Sequence, residues 1–137
     1  MKTRYAGWHY RTDGEAKIDE MVGKTMVAVE GGQGSDELIF TDTDGVKYVF
    51  YHEGDCCEHV AIDDICGDLD DLVGVPLGQV EEVTNERCEG EVPEGYNESW
   101  TWTFYKFATM RGHVTVKWLG ESNGYYSESV DFRIEEP

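Results

Sequence analysis

The 137-residue sequence lacks any apolar run near the ~20 residues that a membrane-spanning helix requires. Its first eleven residues place Lys2, Arg4 and Arg11 among Tyr5, Trp8 and Tyr10 and hold no apolar stretch of the signal-peptide kind, so a cytoplasmic setting is expected. Basic residues are scarce: eleven Lys and Arg stand against 29 Asp and Glu, a net charge of −18. Phosphate backbones are repelled by such a field, which argues against a direct nucleic-acid binder of the ordinary basic kind. No phosphate-cradling glycine loop occurs. A non-enzymatic protein is therefore expected, and the nearest thing to a nucleophile arrangement is Cys57 with His52. Four cysteines (Cys56, Cys57, Cys66, Cys88) make an even count, but two are adjacent and could join only through a strained ring. Reduced thiols fit better than a disulfide framework.

What is abundant is acid, and it is concentrated. Between Lys47 and Lys106 the single basic residue is Arg87, against fifteen Asp and Glu. The first 24 residues are nearly balanced, with five basic and four acidic side chains. A centre of this charge attracts basic surfaces, so the expected partner is a protein with a basic face. Solubility alone is the plainer use of the same charge.

Residues 1–14 read as an N-terminal arm of mixed charge, and residues 15–137 as one β-rich domain. A short helical turn over 15–22 is closed by Gly23. Strand-rich runs then follow over 25–29, 37–41 and 46–52. The last two flank Asp44-Gly45, the clearest hairpin in the chain. Residues 59–62 read as a short strand. Ile65, Leu69, Leu72 and Val73 recur at helical spacing, predicting a short helix that Gly74 and Pro76 close. Residues 76–84 predict a further strand, before an acidic loop over 85–98. The last third alternates strongly, with Trp100, Trp102 and Phe104 expected in the core, then Val114, Val116 and Trp118, then Val130, Phe132 and Ile134. The expected fold is mainly β with an α+β element: a curved antiparallel sheet or small open barrel of about seven or eight strands with one short crossover helix.

Three groups of residues could carry chemistry. His52, Cys56 and Cys57, with His59 nearby and Cys66 beyond, combine sulfur and imidazole as zinc sites do, although their spacing departs from paired hooks. A cysteine is also an ordinary small buried residue, so no cofactor is the expectation and zinc the alternative. The second group is an acidic surface: Glu53, Asp55, Glu58, Asp63, Asp64, Asp68, Asp70 and Asp71. Its spacing is too irregular for an EF-hand, and Asp63 or Asp64 is expected to cap the helix that follows. The third is a loop of Glu121, Ser122, Asn123, Tyr125 and Tyr126, where stacking rings and hydroxyls could hold a small ligand. Asn123-Gly124 is equally a tight-turn signal.

The run over 51–73, with Asp55-Cys-Cys-Glu58 at its centre, resembles a family of small bacteriophage and prophage proteins of unknown function. So do Ser99-Trp-Thr-Trp-Thr-Phe-Tyr105 and Gly120-Glu-Ser-Asn-Gly-Tyr-Tyr-Ser-Glu-Ser-Val130, and the likeness extends over roughly residues 22–134. The family pattern includes the histidine at 52 and the cysteine pair but no histidine at 59, which counts against a four-ligand metal site. The resemblance implies a phage origin and the host cytoplasm, and no activity. The leading expectation is an accessory factor that docks its acidic surface on a host macromolecule, in host takeover or counter-defence and by nucleic-acid mimicry. A small-molecule or zinc-binding module and a structural, oligomeric phage component are the alternatives.

Overall fold

A computed structural model describes residues 2–6, 15–53, 58–86, 99–122 and 128–137. β1 (Lys2–Tyr5), β2 (Met26–Glu30), β3 (Leu38–Asp42), β4 (Lys47–Tyr51) and β9 (Asp131–Glu136) form an antiparallel sheet in the order β1-β9-β4-β3-β2. A second antiparallel sheet is built from β5 (His59–Cys66), β6 (Gln79–Glu86), β7 (Ser99–Thr109) and β8 (Gly112–Ser122), in the order β5-β8-β7-β6. The mainly β expectation holds. Two sheets pack on one another without closing into a barrel, and among the described residues no helix reaches seven residues. Of the arm, the four residues of β1 form an edge strand on β9.

The predicted hairpin is present, with Leu38 opposite Phe50 and Thr41 opposite Lys47. Gly45 takes the φ of +82° that its turn needs and that a side chain would resist. Inward residues of both sheets meet in an aromatic cluster: Phe50 stands 4.6 Å from Tyr105 and 4.9 Å from Phe132, and Phe40 4.9 Å from Phe107, between ring centroids. Each such side chain contributes about 1.5–3 kcal/mol on burial, and each ring pair adds about 0.5–1.5 kcal/mol.

Two expectations are corrected. The helical stripe at Ile65, Leu69, Leu72 and Val73 is not a helix. β5 runs on to Cys66, and only Leu69–Leu72 coils, as a single 3-10 turn capped by Asp68, whose carboxylate accepts from the Asp70 amide at 2.9 Å. Asp63 and Asp64 cap nothing; they lie at a β-bulge. Without that extra residue the alternation would turn Asp64 inward and Ile65 outward. With it, Asp64 pairs with Lys117 on the outer face, and Ile65 pairs with Val116 and packs on the core. The turn expected over 15–22 is likewise a 3-10 turn, Ile18–Met21.

The second correction concerns β7. The face that meets the first sheet carries Thr101, Thr103, Tyr105 and Phe107, while Trp100, Trp102 and Phe104 lie on the opposite face. Trp102 is nevertheless only 2 % exposed, with the Lys117 ammonium 4.1 Å from its ring centroid, a cation–π contact. Trp118, from β8, is the large indole inside the core.

Candidate functional site

A cleft of about 390 Å³ opens where the edge of the first sheet faces β6 and β7. One wall is Ala6, beyond β1, with Ala16 to Asp19 leading into the first 3-10 turn; Val130, Asp131 and Phe132 at the start of β9 continue it. Opposite stand Glu82 of β6 and Tyr105 of β7, cross-strand partners on one sheet face. Strand alternation explains their convergence: the face that sends Tyr105 and Phe107 into the core sends Glu82 to its rim.

The Tyr105 ring is buried, and its phenol is pushed well above its ordinary range. Burial contributes most, followed by the charge and hydrogen bond of Glu82, then by Asp131. Two carboxylates therefore act on one phenol. Glu82 is exposed and also accepts from the Thr84 hydroxyl at 3.3 Å. Asp131 accepts from the backbone amide of Glu53 at 2.9 Å. Lys17 is the cationic residue of the lining, against Glu82, Asp131 and Asp19. The cleft was not foreseen in the sequence, because its lining comes from five separated segments. Tyr105 read there as a neighbour of the tryptophans, with no sign that it faced an acid.

Of the candidate metal residues, His52 and Cys66 are described, and they lie at opposite ends of β5. The His52 side chain is largely buried, with both ring nitrogens facing acceptors: Nδ1 lies 2.7 Å from the Ser129 carbonyl and Nε2 3.1 Å from Oε1 of Glu58. A carbonyl can only accept, so Nδ1 carries a hydrogen. Cys66 is an exposed free thiol at the far end of β5, about 25 Å from Glu58 at the usual strand rise of ~3.3 Å per residue. Cys56 and Cys57 lie outside the described residues. Among the described residues no three His, Cys, Asp or Glu side chains form a metal-sized cluster.

The acidic residues divide. Glu58 belongs to the interior, its side chain 2 % exposed against His52. Glu53, Asp63, Asp64, Asp68 and Asp70 are exposed, and Asp71 is half-buried beside the β7–β8 turn, where its carbonyl accepts from Thr109. Asp55 lies outside the described residues. The exposed acids of β5 and the second 3-10 turn thus run along one flank of the second sheet, away from Glu53. Of the tyrosine loop, Glu121 pairs with His59 and Trp100 across β8, and buried Ser122 donates to Glu128, which also accepts from Thr101 at 2.7 Å. Any side chain at Gly120 would collide with the Glu128 carbonyl. Asn123, Tyr125 and Tyr126 lie outside the described residues.

Among the described residues, no helix is long and apolar enough to cross a membrane. A family model for a domain of unknown function, DUF7448, matches residues 19–132. No curated protein and no solved structure matches the chain.

Proposed function

We propose that this chain, which belongs to the DUF7448 family, is a non-enzymatic binding protein that docks an acidic flank on a basic surface of a partner macromolecule. The observation that carries this reading is the exposure of Asp63, Asp64, Asp68 and Asp70 along one flank of the second sheet. Asp64 alone of them stands opposite a lysine, Lys117, in the strand register. Exposed carboxylates act at a distance on an approaching cation. The resemblance to bacteriophage and prophage proteins supports an accessory role in a host cytoplasm, where nucleic-acid-binding proteins supply basic surfaces in quantity. A site built to receive phosphates would present an acid-faced mimic with the same opportunity.

Salt dependence tests the reading. The affinity for a lysine- and arginine-rich probe peptide is measured from low salt up to about 0.5 M, where the screening length falls below ~5 Å. A steep weakening is expected, and replacing Asp63, Asp64, Asp68 and Asp70 together by Asn should abolish most of it. An affinity indifferent to salt and to that replacement would sink the proposal.

A further inference from the structure

We propose that the cleft between the first 3-10 turn, β9 and β6 receives the guanidinium of an arginine side chain carried by the basic partner, a site that rests on the binding reading above. The cleft is of small-ligand size, apolar on its walls, with three acids (Asp19, Glu82, Asp131) against one base, Lys17, in its lining. Ala16, Ile18, Val130 and Phe132 offer surface for a methylene stem. Glu82, Asp131 and Asp19 come from three different elements, so their charges surround the opening rather than line one side of it.

The chemistry favours guanidinium over ammonium. Acceptors lie on separate walls: the Glu82 carboxylate, the Asp131 carboxylate and the remaining lone pair of the Tyr105 hydroxyl. A planar fork of five N–H donors can reach several fixed acceptors at once, whereas an ammonium is a compact and strongly hydrated point charge. Tyr105 cannot swing away to accommodate either, because its ring is locked 4.6 Å from Phe50 and 6.4 Å from Phe107, centroid to centroid. The site is therefore preorganised on its buried side and adjustable at its exposed charged residues, Lys17, Asp19 and Glu82.

The test uses three capped pentapeptides, Gly-Ser-X-Ser-Gly with X as Arg, Lys or Gln, titrated into the full chain while backbone amide shifts are followed. The Arg peptide should move the amides of Ala16, Glu82 and Asp131 saturably, more tightly than the Lys peptide, while the Gln peptide should leave them still. Glu82→Gln removes one charge-assisted bond and should weaken the Arg peptide about tenfold. Because Glu82 is exposed, the variant's unchanged spectrum would show that its fold is intact. Equal binding of the Gln peptide, or an Arg affinity untouched by both Glu82→Gln and Asp131→Asn, overturns the proposal. The protein with Asp63, Asp64, Asp68 and Asp70 all replaced by Asn separates the two readings. It should keep the single-Arg site and lose the polybasic probe. Salt-sensitive polybasic binding without any response at the cleft defeats the cleft alone. Salt-insensitive polybasic binding defeats the acidic flank, and with it the partner-borne arginine.

Discussion

Tyr48 and Tyr105 are both buried phenols beside a carboxylate, yet the two pairs are built to opposite ends. The Tyr48 hydroxyl donates to Oδ2 of Asp42 at 2.9 Å, and Oδ1 of the same acid accepts from the amides of Asp44 and Val46 at 2.8 and 3.0 Å. Asp42 is only 3 % exposed, and its three donors organise the turn between β3 and β4. Burial, then Asp42, raises the Tyr48 phenol far above its ordinary range. Around Tyr105 the ring is equally buried, but Glu82 stands in solvent and faces a cleft that holds further acids. A saturated carboxylate has no capacity left for a ligand, whereas one at the rim of a cleft has. That contrast assigns Asp42 to the architecture and Glu82 to recognition.

The largest effect should follow from cutting the saturated acid. Asp42→Ala strands a buried hydroxyl and removes the acceptor of two turn amides, for an expected loss of about 2–3 kcal/mol in urea unfolding. A loss below half a kcal/mol would mean that the turn stands without it. The tyrosines sharpen the comparison at smaller scale. Tyr48→Phe leaves a buried carboxylate one donor short and should cost about 1–2 kcal/mol. Tyr105→Phe leaves Glu82 exposed to water and should cost under about 1 kcal/mol. Equal losses in the two variants would erase the distinction between a closed and an open pair.

The sequence exposes the first pair more readily than the second. Asp42 sits within a hairpin whose Asp44-Gly45 turn and flanking β-branched and aromatic residues are local signals, so its elements are legible even where its buried role is not. The second sheet is harder, because β7 carries large aromatic residues on both faces. Trp100, Trp102 and Phe104 present as plausible a core stripe as Tyr105 and Phe107, and only the register with Val114, Val116 and Trp118 decides between them. Asp63-Asp64 misled in a related way. Two adjacent acids before an apolar residue suit a helix cap, and a bulge satisfies the same residues by keeping both in water. The cleft was illegible for a different reason: Ala16, Glu82, Tyr105 and Asp131 are distant in sequence, and only tertiary packing makes them neighbours.

Arg4 and Glu20 supply an intermediate case, a carboxylate neither saturated nor free. The two guanidinium nitrogens of Arg4 bond the two oxygens of Glu20 at 2.9 and 2.8 Å, tying β1 to the first 3-10 turn. Glu20 also accepts from the Lys17 amide at 3.0 Å. The Arg4 hydrogen bond, more than any other influence, holds the Glu20 carboxyl below its usual value of 4.5. A folded-state pKa depressed below the unfolded one stabilises at pH above the unfolded value and is lost as pH falls through the folded value. The stabilisation should therefore be complete at neutral pH, begin to fade as pH falls below about 4.5, and be gone once pH passes the depressed folded value. The Glu20 side chain is 37 % exposed, so water screens the pair and its worth is about 0.5–1 kcal/mol. Arg4→Gln should lower the melting temperature by a few degrees at pH 7 and by less near pH 3. A loss of the same size at both values would show that the arginine stabilises through its packed stem. Such a result would place Arg4 with the saturated, architectural contacts of Asp42, and its charge would then have no part in holding β1.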